Sequence, residues 1–329
     1  MSKKNVYLTR LIPEPGIEIL KKEFNVEINM EDRPLERKEF LKNIKGKDGV
    51  LCLLTDRIDE EVFKTVPEVR GFANYAVGYD NIDVRKATEY KIPVSNTPDV
   101  LTDATAEMAW ALLFAAARRV VESDRIMRSG KWKGWGPMQF IGGDITGAVL
   151  GIVGAGRIGT AMALKSKGFK MKVLYCDSIA NKVLEDEVKG EKVSFEYILE
   201  NSDYISIHTP LIPETRHLFG IEQFRKMKRT AYIINTARGP IIDEKSLVEA
   251  LKSGLIAGAG IDVYEKEPIA EPELEALINV VMTPHTASAT VSSRNGMAVK
   301  AALNLIAMVK GEVPQDCLNP EIYSTYLVV

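Results

Sequence analysis

The chain has 329 residues, more than one ordinary core holds and enough for two domains. Apolar residues make up 46% and charged residues 27%, which excludes a disordered chain. Forty-three basic against forty-five acidic side chains leave a formal charge of −2, so neither a nucleic acid nor a membrane surface is an expected partner.

Short apolar runs alternate with helical patterns along almost the whole length, the sign of an α/β protein with parallel sheets. Predicted strands are Val6–Thr9, Gly49–Leu54, Val149–Val153, Lys172–Cys176, Tyr204–Ile207, Ala231–Ile234, Ala257–Ile261 and Val280–Met282. Several are apolar throughout, as strands covered on both faces should be. A first alternation ends near Asn96-Thr-Pro-Asp99, and a second runs from Val100 to about Ser288. The domains expected are therefore residues 1–98 plus 289–329, and 99–288.

Between the two alternations, Ala104–Val121 reads as one long helix with a nearly all-apolar face, buried between domains or between subunits. It contains Glu107 and closes on Arg118-Arg119, too short and too charged to span ~30 Å of hydrocarbon. The N-terminal residues have no apolar run that could serve as a signal peptide. Cys52, Cys176 and Cys317 are odd in number and far apart, so no disulfide framework or metal site is expected and a reducing compartment, the cytoplasm, is the default.

Val149–Val153 runs straight into Gly154-Ala-Gly156-Arg-Ile-Gly159 and then a helical stretch. This is the strand–turn–helix order of a dinucleotide site: Gly154 for the tight turn, Gly156 for backbone approach to a pyrophosphate, Gly159 for close helix–strand packing. The helix start offers N–H groups to the phosphates. Asp177, closing the next strand about twenty residues on, stands where a carboxylate would accept from a ribose diol and repel a 2′-phosphate, which favours NAD. The simpler alternative is a glycine turn that merely joins strand to helix, with Asp177 capping the turn after it.

Strand ends further along carry candidates for chemistry, because ligands of open parallel sheets sit beyond the carboxyl ends. Of three histidines, His208 follows Tyr204–Ile207 and His285 follows Val280–Met282; both qualify as a proton donor, and both also fit a structural role. His217 lies in a polar connection and reads as surface. Arg238 follows Ala231–Ile234 and suits an anionic substrate. Glu267 follows Ala257–Ile261, and nothing local separates it from Glu265. The last helix, about Val291–Lys310, has Met297, Ala301, Leu305 and Met308 on one face and returns the chain to the first domain.

At these residues the sequence resembles the D-2-hydroxyacid dehydrogenase family, and within it the glyoxylate/hydroxypyruvate reductases. The likeness is carried by Asn74-Tyr-Ala-Val-Gly-Tyr-Asp-Asn-Ile-Asp83, Asn96-Thr-Pro-Asp-Val-Leu-Thr-Asp-Ala-Thr-Ala-Glu107, the Gly154 turn and His208-Thr-Pro210. It continues in Asn235-Thr-Ala-Arg-Gly239, Asp262-Val-Tyr-Glu-Lys-Glu-Pro268 and Thr283-Pro-His285. The resemblance implies two doubly wound parallel-sheet domains, a Rossmann coenzyme domain and a flavodoxin-like substrate domain, with a cleft between them. It implies reversible reduction of a small 2-keto acid to the D-2-hydroxy acid with NADH. Arg238, Glu267 and His285 would be the catalytic set. Asn74, Tyr75, Val77 and Gly78, with Arg238 and His285, would bind the substrate. The cofactor would be held by Gly154, Gly156, Arg157, Ile158, Gly159, Asp177, Thr105, His208, Pro210, Thr215, Thr236, Ala237 and Asp262.

The same resemblance implies a homodimer through the coenzyme domain, built on the Ala104–Val121 helix and the segment with Trp132 and Trp135; core filling is the alternative for those tryptophans. Many glyoxylate reductases of this kind carry arginine and serine after the second strand and use NADPH; this chain has Asp177 there, a departure that favours NADH. No role is assigned to Glu321–Val329. A different reading is an NAD-sensing regulator related to the family's transcriptional corepressors, against which the lack of a peptide-binding extension or basic tail counts. Phosphite oxidation would need a lysine where Val77 stands.

Overall fold

The computed structural model describes residues 3–326, with side chains to residue 323. It divides into two compact units, residues 1–101 with 289–329 and residues 102–288. The expected boundary at 98/99 therefore moves three residues on. Val100 lies against Gly296 of the last helix and Leu101 is buried, which ties both to the first unit.

The first unit has five strands: β1 (Asn5–Leu8), β2 (Asn25–Ile28), β3 (Gly49–Cys52), β4 (Phe72–Asn74) and β5 (Val94–Ser95). All are parallel, in the order β2-β1-β3-β4-β5, the flavodoxin-like order. One face is covered by the Glu14–Glu23 and Val291–Lys310 helices, which pack on each other. Phe40, Ile44, Val62, Phe63 and Ala87, from three further helices, close the other face over Val50, Cys52, Phe72 and Val94. The last helix thus lies where the sequence places it, with the expected bounds.

The second unit has seven strands: β6 (Val149–Val153), β7 (Lys172–Cys176), β8 (Glu191–Lys192), β9 (Tyr204–Ile207), β10 (Tyr232–Asn235), β11 (Gly258–Ile261) and β12 (Val280–Met282). Their order is β12-β11-β10-β9-β6-β7-β8, parallel throughout. The order reverses between β6 and β9, the switch point of a Rossmann sheet.

The long apolar helix differs from its expectation in two ways. It spans Thr102–Ala117, and the chain turns at Arg119, in the left-handed region at φ 52°, before a second helix, Val120–Arg128. Arg119 is held there by both oxygens of Glu122, at 2.7 and 2.9 Å. Its buried residues also pack within the second unit: Ala106, Ala109, Trp110 and Leu113 meet Leu150, Ile152 and Ile234 of the sheet. What remains uncovered is the following stretch. The Val120–Arg128 helix buries no residue, and Trp132 and Trp135 are 49% and 84% exposed, with Met138 and Ile141 also open. Core filling is thereby excluded for both tryptophans. Residues 327–329, part of the tail without an assigned role, lie outside the described residues.

Candidate active site

The Gly154 turn sits at the switch point of the second sheet. Gly154 has φ +92°, and a Cβ there would fall 2.6 Å from Thr209 N and 2.7 Å from the His208 carbonyl carbon. Only glycine lets the carboxyl end of β6 pass so close to that of β9. Gly159 is equally constrained, since a Cβ would meet Gly154 O at 2.1 Å.

Gly156 is different. Its φ of −72° suits any residue, and a Cβ would meet nothing within 4 Å. The chain's own packing does not demand glycine there, and the open space beside it suits the close backbone approach that a dinucleotide pyrophosphate needs. Gly156 also gives the Arg157–Lys165 helix a cap without a side-chain acceptor, so its first turn is left to offer N–H groups to an anion. Asp177 follows β7, its Oδ2 accepting from Ala155 N at 2.7 Å and its Oδ1 from Ser178 Oγ at 3.2 Å and Ile179 N at 3.3 Å. Thr236, just past β10, has a buried hydroxyl with no partner. A glycine cradle, an uncapped helix start, a carboxylate and an orphan hydroxyl together fit an NAD molecule.

His208 stands beside this turn as a half-buried ring with Nε2 2.8 Å from Ser206 Oγ. Loss of solvation pushes its pKa down to about 3, which favours the neutral ring. Thr215 spends its hydroxyl locally, donating to Pro210 O at 2.6 Å and accepting from Ile212 N at 2.9 Å; it shapes the exposed turn after His208. Thr105 is buried within the Thr102–Ala117 helix. Arg157 is exposed and Ile158 half-buried in the first turn after Gly156.

Arg238, Glu267 and His285 come from the loops after three neighbouring strands, β10, β11 and β12. Asn235 shapes the first loop, donating to Arg238 O at 2.9 Å and accepting from Ala237 N at 3.0 Å. Arg238 is half-buried, its Nη1 2.8 Å from Ala237 O. The next residue holds the first two loops together: a Cβ on Gly239 would lie 1.9 Å from the Tyr264 carbonyl carbon. Glycine is required there because the 262–268 loop crosses directly over it.

The pair itself is explicit. His285 Nδ1 lies 2.7 Å from Glu267 Oε2, with side chains 26% and 30% exposed. Burial pushes the Glu267 carboxyl up, but the hydrogen bond and charge of His285, the Tyr264 N–H and the Arg238 guanidinium outweigh it and hold Glu267 below the usual carboxylate range. Glu265, which the sequence does not separate from Glu267, points elsewhere: its Oε1 accepts from Glu244 N at 3.0 Å and lies 3.4 Å from His217 Nε2.

His285 has φ 53°, a left-handed conformation costing ~1–2 kcal/mol that persists only where the surroundings over-determine it. Asp262 does so. It is 0% exposed; its carbonyl accepts from His285 N at 2.8 Å, and its carboxylate takes Thr286 N and Ala287 N, both at 2.8 Å, and Thr283 Oγ1 at 2.5 Å. Asp262, expected against the nicotinamide riboside, is thus engaged in fixing the His285 turn.

In the first unit, the end of β4 and the start of the loop after it turn their side chains inward. Asn74 is 0% and Tyr75 4% exposed. Asn74 Nδ2 donates to Gly78 O at 3.0 Å, Asn96 Nδ2 to Val77 O at 2.7 Å, and Tyr75 Oη to Arg294 O at 2.8 Å. Among the described residues no hydrogen bond occupies the Val77 or Gly78 amide. Asn74 and Tyr75, expected as contact residues, brace the loop; the half-buried Val77 and Gly78 offer the open donors. Among the described residues no cluster of His, Cys, Asp and Glu could hold a metal.

Residues 110–287 match the family model described as D-isomer specific 2-hydroxyacid dehydrogenase, NAD binding domain. The chain belongs to this family. It is 50% identical over 322 residues to a glyoxylate reductase of Korarchaeum cryptofilum, covering 97% of each chain. The enzyme is also similar to a crystal structure from Thermus thermophilus, with TM-score 0.88, 40% identity, and 95% and 99% of the two chains covered. A glyoxylate reductase structure from Paecilomyes thermophila superposes with TM-score 0.86 at 31% identity, over 98% and 100% of the chains. The present chain is an NAD-dependent D-2-hydroxyacid dehydrogenase.

Proposed function

We propose that this enzyme reduces glyoxylate, hydroxypyruvate or a keto acid of similar size to the D-2-hydroxy acid. The observation that carries this reading is the His285–Glu267 pair, 2.7 Å apart, on strand ends next to that of Arg238. NADH, when bound, supplies the hydride that C2 of the keto acid takes up. Arg238 grips the substrate carboxylate and draws on the carbonyl oxygen as charge develops there. With Nδ1 committed to Glu267, His285 presents Nε2, and the imidazolium donates its proton to that oxygen. Glu267, held ionised, fixes the ring plane and stabilises the imidazolium before transfer. The Val77 and Gly78 amides take the other side of the substrate carboxylate; Asp177, the Gly154 turn, Thr236 and Ala237 hold the coenzyme. The names of the relatives favour glyoxylate among the small keto acids.

Turnover of NADH with a panel of 2-keto acids tests this reading. Glyoxylate and hydroxypyruvate should lead the panel. His285→Ala should lose about 10²–10⁴-fold in kcat while NADH still binds. Oxidation of NADH no faster than background with every keto acid would instead favour the NAD-sensing regulator.

The uncovered apolar stretch supports a homodimer. Four large apolar side chains, Trp132, Trp135, Met138 and Ile141, lie exposed within ten residues of chain, and exposed apolar surface of that kind commonly marks a protein–protein interface. Trp135→Glu should shift the sedimenting species from dimer to monomer; a wild-type protein that sediments as a monomer would dismiss the interface. Three unpaired cysteines suit the reducing cytoplasm.

A further inference from the structure

Glu244 opens the Glu244–Ser253 helix, yet its carboxylate does not serve that helix. Asp243 already caps it, accepting from Lys245 N at 3.1 Å and Ser246 N at 3.3 Å. Glu244 turns instead to the loop that carries Glu267. Its Oε1 accepts from Glu265 N at 2.6 Å and its Oε2 from Glu271 N at 3.1 Å. Those two amides are the two ends of the loop. Between them, Ile269 N closes a turn on Lys266 O at 2.8 Å, and Glu267 sits inside that turn.

We infer that Glu244 is a positioning residue for proton transfer: its carboxylate closes the neck of the 265–271 loop and thereby sets where Glu267 stands against His285. This rests on the reading of Glu267 as the partner of His285. The neck needs an acceptor at each end, and a carboxylate has two oxygens where a carboxamide has one. The placement is costly. Glu244 is only 8% exposed, and burial, with Glu265 and Glu271 close by, pushes its carboxyl up despite the two amides. A residue that only filled space would not need an ionisable group under such conditions. On its near side the loop is fixed by the crossing over Gly239; the Glu271 contact ties down the far side. Glu265 Oε1 returns the bond on Glu244 N, so helix start and loop neck are locked reciprocally.

The test is a double-mutant cycle on the full-length enzyme with NADH and glyoxylate. Glu244→Gln should lower kcat about 10–100-fold, the range for a displaced catalytic group, with the KM for NADH unchanged. In a Glu267→Gln background the same substitution should change kcat by less than about twofold, because the group it positions is gone. An equal loss in both backgrounds, or no loss in the wild-type background, overturns the inference. Glu267→Gln turning over at the wild-type rate would instead remove the reading beneath it. Should Glu244→Gln not fold, Glu271→Pro deletes one of the two amides from the other side, at a φ of −61° that proline adopts. It should lower kcat in the same direction, and a folded variant with wild-type kcat overturns the proposal.

Discussion

At the carboxyl ends of the second sheet, β10, β11 and β12 lead into loops that project Arg238, Glu267 and His285 as side chains. At the corresponding end of the first sheet, β4 leads through the buried side chains of Asn74, Tyr75 and Ala76 into a loop whose Val77 and Gly78 amides stay open. Under the proposed mechanism one unit would contribute charge and a transferable proton, and the other oriented backbone donors. The difference follows from what each task requires. Proton transfer needs a titratable side chain, whereas holding a carboxylate needs only N–H groups at fixed positions. Rigidity is supplied in the same way on both sides, by buried asparagines. Asn74 and Asn96 hold the Val77–Gly78 loop, and Asn235 holds the loop of Arg238.

The sharpest way to break this comparison is to loosen the backbone side alone. Asn74→Ala removes the donor to Gly78 O and both contacts with Asn81, at 3.2 and 3.3 Å. Each buried polar group left without a partner costs ~1–3 kcal/mol. The KM for the keto acid should therefore rise about tenfold, ~1.4 kcal/mol being a factor of ten, while the Kd for NADH stays as it was. Steady-state kinetics, run well below a lowered Tm, checks this. An unchanged keto-acid KM would mean that the first unit's amides do not hold the substrate.

Strand ends are legible in the sequence because buried parallel strands are apolar and glycine, arginine and histidine follow them directly. Val149–Val153, Lys172–Cys176, Tyr204–Ile207 and Val280–Met282 appear with the expected bounds. Four strands escape such a reading, β2, β4, β5 and β8, each only two to four residues long. β2 and β8 bury no residue and carry Asn25, Glu27, Glu191 and Lys192 rather than an apolar run, and β4 and β5 are only three and two residues long. The long helix reads past Ala117 because Val120 and Val121 continue its apolar run; the left-handed turn at Arg119 depends on a side-chain pair that no periodicity reveals. Within the site, chemistry-bearing residues stand out and their supports do not. Asp243-Glu244 reads as an ordinary helix start, and Asp262 as one more strand-end carboxylate. Only the geometry separates Glu244, which bridges two loop amides, from Asp243, which caps its own helix.

A smaller effect should come from Asp177, where the structure alters how the experiment is read. The half-buried carboxylate would do two things: in the proposed coenzyme site its charge would face the ribose diol, and in the structure its Oδ2 accepts from Ala155 N inside the glycine turn. Asp177→Ala removes both, so weaker binding of either coenzyme would not isolate the charge. Asp177→Asn separates them, because the carboxamide oxygen keeps the Ala155 contact while the repulsion of a 2′-phosphate disappears. For a group half open to water that repulsion is ~1 kcal/mol, or about fivefold. The ratio of kcat/KM for NADH over NADPH should fall by that factor in Asp177→Asn with the KM for NADH nearly constant, and in Asp177→Ala the KM values for both coenzymes should rise as well. A ratio identical in wild type and Asp177→Asn would show that coenzyme choice is set elsewhere around the turn and that Asp177 serves the backbone alone.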